Sequence, residues 1–286
     1  MNPLLARRVK SLLGQIEDRL LAQAQADTPY ISQAAQHIIQ AGGKRFRPTL
    51  VILASGLGEG KPPAGTDARV IAASLVVELT HVASLYHDDV MDEADIRRGV
   101  PSANAKFGNR DAILVGDYLF ARASALVAEL GVEYVDLQAR TFQRLVQGQI
   151  NEGFPPPEPA AAREHYLRVV ADKTGSLIAT SAIFGGMAAG LSDSQLEALG
   201  RFGEEIGAVF QLADDLLDIT GDVSGASTGK TPGADLKAGV PTLPTLLARA
   251  AEPPDSWLRR LLETPGLSDA EVAEALALLR AHPALA

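Results

Sequence analysis

Apolar residues recur at three- and four-residue spacing through nearly the whole chain, and alternating apolar–polar runs are hard to find. The pattern predicts helices over 3–24, 29–40, 47–57, 66–91, 103–107, 111–130, 133–151, 160–170, 174–190, 192–219, 241–250, 255–262 and 268–281. Two of these open on capping-box patterns, Ser192 with Gln195 and Ser268 with Glu271. Breaks fall at Gly42-Gly43, 58–65, 153–159, 221–233 and Pro253-Pro254, and none reads as an inter-domain linker. The glycines at Gly185, Gly186 and Gly190 read as close helix packing. There is no tandem repeat of short period. The expectation is one all-α domain over 1–286 around a central cavity.

Composition narrows the class. The 286 residues are 47% hydrophobic and 21% charged, with a formal net charge of −9, which argues against non-specific nucleic-acid binding. No cysteine is present, so disulfides, thiolate metal sites and a cysteine nucleophile are excluded. The first 21 residues mix apolar positions with Arg7, Arg8, Lys10, Glu17, Asp18 and Arg19, an amphipathic helix and not a signal peptide. No run reaches the roughly 18 uncharged apolar residues of a membrane span. A soluble, cytoplasmic protein is expected.

Two acidic runs change the picture: Asp88-Asp89-Val90-Met91-Asp92 and Asp214-Asp215-Leu216-Leu217-Asp218. Each has the form D-D-x-x-D after an apolar helical stretch. On a helix, positions i and i+4 lie on one face roughly 6 Å apart along the axis, so each run projects a carboxylate pair. Like charges that close repel, and carboxylates ending a buried helix need compensation. An all-oxygen ligand set selects Mg²⁺ or Mn²⁺, and Mg²⁺ takes one or two carboxylates with the rest from water and substrate phosphate. A diphosphate is the anion such a pair of sites suits.

Cations occur in matching places. Arg97-Arg98 follow the first run, Lys44, Arg45 and Arg47 follow Gly42-Gly43, Lys173-Thr174-Gly175 opens a helix, and Gly229-Lys230-Thr231 lies in the loop after the second run. Arginine binds phosphate bidentately, lysine as a point charge, and a helix N-terminus adds N–H donors. The Gly42–Arg47 stretch lacks the spacing and the preceding strand of a nucleotide-binding loop. His81 precedes Asp88 by two helical turns on the same face, a candidate ligand or substrate contact.

These residues together resemble the trans-isoprenyl diphosphate synthase (polyprenyl synthetase) family, most of all its bacterial long-chain members. Gly42 to Pro48 is similar to the family's G-G-K-x-x-R-P signature, and His81 to Gly99 to its first aspartate-rich motif with the trailing arginine pair. Lys173-Thr174, Phe210 to Asp218, Gly229-Lys230, and Asp235 to Pro244 resemble its later motifs. The resemblance implies an isoprenoid-synthase helical bundle and a homodimer. It implies that Asp88 and Asp92, with Asp214, hold Mg²⁺ on an allylic diphosphate, with Asp89 and Asp218 as further metal-ligand candidates of the same runs. Arg97, Lys173, Thr174, Gln211 and Lys230 would contact that diphosphate, while Lys44, Arg47, His81 and Arg98 would bind isopentenyl diphosphate.

The implied reaction is ionisation of the allylic diphosphate and attack by the isopentenyl double bond. Ala83 and Ser84, five and four residues before Asp88, stand where bulky aromatics would floor the product tunnel, so a product longer than twenty carbons is expected. A twenty-carbon (geranylgeranyl) product and a non-catalytic synthase subunit are the alternatives. A class I terpene cyclase is disfavoured because the second D-D-x-x-D and Gly42–Pro48 are both present. The chain departs from the family pattern at Val240, where a lysine is usual and Lys237 is the nearest substitute. It also ends at Ala286, where similar proteins continue for several helical turns, so the last helices are expected to be missing.

Overall fold

The structure is a computed structural model that describes residues 3–58, 63–154, 156, 161–221 and 232–285. The fold is all-α. Helices α1 (Pro3–Gln23), α2 (Pro29–Gln40), α3 (Phe46–Ala54) and α4 (Thr66–Met91) precede a small hairpin, β1 (Ile96–Arg97) and β2 (Val100–Pro101). Then come α5 (Ala103–Phe107), α6 (Asn109–Leu130), α7 (Val132–Glu152) and α8 (Ala162–Val170). A π-helical turn (Ala171–Gly175) leads into α9 (Ser176–Ala189), followed by α10 (Asp193–Thr220). The chain closes with α11 (Ala234–Ala238), α12 (Leu243–Ala251), α13 (Trp257–Glu263), α14 (Asp269–Arg280) and a 3₁₀ turn (Pro283–Leu285). It divides into two compact units, 1–143 with 176–204, and 144–175 with 205–286.

The first unit is built on α4, which packs against α6, α3, α9 and α1. Val70, Ile71, Leu75, Val76, Leu79, Val82 and Tyr86 are buried along it, too many faces for an amphipathic stripe. Among the described residues α4 is the one helix long and apolar enough to cross a membrane, but 72% of its apolar window is buried within the protein. It is a core helix. α9 is buried almost all round, and Gly185 explains how: a Cβ there would lie 2.2 Å from the Val51 carbonyl of α3. The glycine pair is therefore a packing device, as its sequence suggested.

The second unit has its own core of Ile219, Leu236, Ala248, Leu258, Leu261, Leu267, Val272 and Leu276. A smaller cluster joins Tyr166, Val170 and Leu246 to Leu212 and Leu243. The capping box at Ser268 and Glu271 forms in full at the start of α14. At Ser192 the Gln195 side chain accepts from the backbone N–H and from the hydroxyl. A third box, Thr242 with Thr245, starts α12.

Two local features depart from the sequence expectation. The hairpin turns on Arg98 (φ 54°) and Gly99 (φ 77°), the pair of positive φ values that a tight primed turn requires. Its strands have two residues each, too short to show alternation. In addition, Lys173 and Thr174 do not open a helix. They lie in the π turn that joins α8 to α9 without a break, so no free helix N-terminus exists there to offer N–H donors.

Candidate functional site

Both acidic runs stand at the carbonyl end of their helices. Asp88 and Asp89 occupy the last turn of α4, and Asp92 caps it, with its N–H donating to the Asp88 carbonyl at 2.8 Å. Asp214, Asp215 and Asp218 occupy the last two turns of α10. A helix C-terminus carries partial negative charge, so carboxylates there are doubly unfavourable without a cation.

In the first unit, Asp88 is half-buried, Asp92 is exposed and Asp89 is fully buried. Asp89 Oδ1 accepts from Arg97 Nε at 2.7 Å and Nη2 at 2.6 Å, while its buried Oδ2 has no hydrogen-bond partner. Desolvation raises the Asp89 pKa above the usual carboxylate value, and the Arg97 charge opposes that rise. The hairpin that brings Arg97 here is itself anchored. His37 Nε2 lies 2.7 Å from the Pro101 carbonyl oxygen, and Arg98 donates from Nη1 to the carbonyls of Ile38, at 3.1 Å, and of Gly42. Gly43 permits this fit, since a Cβ there would sit 3.1 Å from both the Arg98 and Arg45 guanidiniums.

The predicted cations of this unit converge around His81. Desolvation first, then the charges of Arg47, Arg98, Arg97 and Arg45, hold its pKa well below the ordinary value, so His81 is neutral at neutral pH. Arg47 has a buried Nε without a partner, and desolvation draws its pKa down to about 10. Lys44 is exposed. Such crowding of guanidiniums is unfavourable in isolation and suits an anion. Arg45 differs from its neighbours. It bonds Glu17 at 2.7 and 2.8 Å and Glu78 at 2.8 Å, joining α1, α3 and α4 from a left-handed backbone (φ 47°). Arg45 stands at an unspecified position of the G-G-K-x-x-R-P signature, where the resemblance implies no substrate role, in keeping with this structural use. On α4, Ala83 is fully buried, and Ser84 is buried with its hydroxyl donating to the His81 carbonyl at 2.8 Å.

In the second unit, Lys173 Nζ donates to Glu152 at 2.6 Å. Thr174 donates to Gln211 Oε1 at 3.1 Å, and Gln211 Nε2 donates to Asp215 Oδ1 at 2.9 Å. The Tyr166 hydroxyl donates to Asp215 Oδ2, and burial with that carboxylate pushes the Tyr166 pKa up strongly. Thus Thr174 and Gln211 do come together, through a chain that ends on Tyr166, a residue the sequence did not flag. Asp214 is half-buried beside this chain. Asp218 is buried and accepts from the backbone N–H groups of Ala234 and Asp235 at 3.2 and 3.3 Å. Lys230 lies outside the described residues. Lys237 is held by Asp269 at 2.6 Å, on the first turn of α14.

No group of three or more His, Cys, Asp or Glu among the described residues could hold a metal ion by itself. The donors are carboxylate oxygens alone, and one of them, Asp89 Oδ2, is buried without a partner. That set fits a hard divalent cation that draws its remaining ligands from water and phosphate.

Residues 28–279 match the polyprenyl synthetase family. The chain belongs to that family. It is a polyprenyl diphosphate synthase, a trans-prenyltransferase. Among its relatives, the nonaprenyl diphosphate synthase of Mycobacterium tuberculosis is 46% identical over 98% of this chain and 82% of that protein. The crystal structure of a polyprenyl synthase from Caulobacter crescentus, complexed with calcium and isoprenyl diphosphate, aligns with a TM-score of 0.88 at 31% identity. It covers 98% of this chain and 84% of that one. The geranylgeranyl pyrophosphate synthase of Corynebacterium glutamicum, also complexed with calcium and isoprenyl diphosphate, has a TM-score of 0.81 at 39% identity. It covers 99% of this chain and 85% of that one. A divalent metal and an isoprenyl diphosphate are thus ligands of this family.

Proposed function

We propose that this polyprenyl synthetase condenses isopentenyl diphosphate head-to-tail onto an allylic diphosphate in a Mg²⁺-dependent reaction, releasing an all-trans product longer than twenty carbons. The observation that carries the chemistry is the close set of arginines around a neutral His81, on the helix that ends in Asp88, Asp89 and Asp92.

Asp88 and Asp92 on α4, and Asp214 on α10, would hold the Mg²⁺, with Asp89 and Asp218 as further candidate ligands of the same runs. Bound there, Mg²⁺ would supply positive charge to the diphosphate leaving group. Arg97, Lys173, Thr174, Gln211 and Lys230 bind the allylic diphosphate, and Lys44, Arg47, Arg98 and His81 bind isopentenyl diphosphate. Kept neutral, His81 offers a hydrogen bond without adding another charge to the arginines. The allylic C–O bond breaks, the isopentenyl double bond attacks the carbocation, and a proton passes to the departing pyrophosphate. The product is again an allylic diphosphate, longer by five carbons. The family match runs through both compact units, which supports one catalytic domain over the whole chain. The enzyme works as a cytoplasmic homodimer.

Length follows from Ala83 and Ser84. Each isoprene unit buried gains roughly 3–4 kcal/mol, so elongation continues until a side chain blocks it. The nonaprenyl relative supports a long product, and the geranylgeranyl relative keeps twenty carbons as the second reading. The test is incubation with Mg²⁺, isopentenyl diphosphate and farnesyl diphosphate, followed by measurement of product length. Absence of turnover with any allylic primer sinks the reading, and a twenty-carbon end product refutes its length. Ala83→Phe or Ser84→Phe, checked for folding by circular dichroism, is expected to shorten the product.

A further inference from the structure

The π turn that carries Lys173 and Thr174 is held by one face of α7. Arg144, Gly148 and Glu152 recur at intervals of four on that helix and therefore stack in a line. Each meets a successive part of the turn. Arg144 Nε donates to Asp172 Oδ1 at 2.8 Å. Gly148 lies flat against the backbone, where a Cβ would sit 2.5 Å from Lys173 N and 2.9 Å from its Cα. Glu152 receives the Lys173 ammonium at 2.6 Å.

The middle contact is the most telling. Glycine in a helix interior costs about 1 kcal/mol relative to alanine, so α7 itself gains nothing from Gly148. What the missing Cβ permits is contact between the helix and the main chain of Lys173. The π turn has an off-register backbone that α8 and α9 do not dictate, and the α7 face fixes it from outside.

We infer that Arg144, Gly148 and Glu152 are positioning residues that set the backbone and ammonium of Lys173 for the allylic diphosphate. This rests on the role given to Lys173 above. The selective readout is the KM for the allylic diphosphate, measured apart from the KM for isopentenyl diphosphate and from kcat. Gly148→Ala is expected to raise the allylic KM by about tenfold or more, because displacements near 1 Å are costly where groups must be aligned. The KM for isopentenyl diphosphate is expected to stay within about twofold, since its ligands lie on other elements.

A purely structural role for Gly148 predicts a smaller active fraction with both KM values unchanged, and that result overturns the inference. If Gly148→Ala does not fold, Glu152→Ala decides: a raised allylic KM, partly restored by Glu152→Gln, supports it. An unchanged or lowered allylic KM overturns it, because Glu152 would then be idle or a competitor for Lys173. Lys173→Ala is the control. If it leaves the allylic KM unchanged, the role of Lys173 is wrong. If it raises that KM while the α7 variants do not, only the positioning inference falls.

Discussion

The two acidic runs share a sequence form and a place at the negative end of a helix, yet the donors seen on their middle carboxylates differ. Asp89 on α4 takes a guanidinium, Arg97, delivered by the hairpin that follows the helix. Asp215 on α10 takes the Tyr166 hydroxyl and the Gln211 amide. In both runs the second aspartate is turned into its own unit, while the first is less buried. The repeated motif therefore contains a division of labour. The middle carboxylates are bound by side-chain donors and Asp218 by backbone N–H groups, while Asp88, Asp92 and Asp214 are the less buried ones proposed for the cation.

The largest effect expected from that division is on turnover. Asp88→Ala and Asp214→Ala should each lower kcat by about 10³-fold, the scale of losing charge stabilisation at a leaving group. Steady-state assays at saturating Mg²⁺ check this, and a loss below tenfold in either variant would remove that run from the metal site.

The middle carboxylates should separate next, and in stability. Asp89→Asn leaves Arg97 without its buried counter-ion and should cost about 2–4 kcal/mol. Asp215→Asn keeps an acceptor for Tyr166 and should cost about 1–2 kcal/mol. Urea unfolding measures both, and equal costs would erase the contrast between Arg97 on one side and Tyr166 with Gln211 on the other.

The smallest effect concerns pH. His81 has a folded pKa well below its unfolded value of 6.5, so below pH 6.5 the unfolded chain binds a proton that the folded chain refuses. Stability from this group is complete above pH 6.5 and declines as pH falls toward the folded pKa. His81→Asn should flatten that slope in melting temperatures taken from pH 7 to pH 5. An unchanged slope would mean that His81, desolvated among the arginines, does not set this pH dependence.

Most helices were legible because burial on one face leaves a 3.6-residue period, and α10 falls within a residue of the expected bounds; α4, buried on more than one face, was legible as a long apolar run instead. The D-D-x-x-D runs and the Gly42–Pro48 stretch were legible as chemistry because such charge density needs a reason. The rest left little trace. A two-residue strand has no period, and a π turn changes hydrogen-bond register without changing composition. Arg45 falls at an unspecified position of the Gly42–Pro48 signature, and only Glu17 and Glu78, distant in sequence, show what it does. Tyr166 and Glu152 likewise acquire meaning only through partners 49 and 21 residues away.

The fully buried Ala83 has an evolutionary consequence. A larger residue there, besides reaching into the proposed tunnel, presses on the neighbours that bury Ala83, and overpacking costs typically 1–3 kcal/mol. A lineage that shortens its product by enlarging position 83 therefore first loses stability, unless a side chain on a helix packed against α4 has already shrunk. Product length should drift in coupled steps between helices, and libraries that vary the pair together should reach new lengths that single substitutions miss.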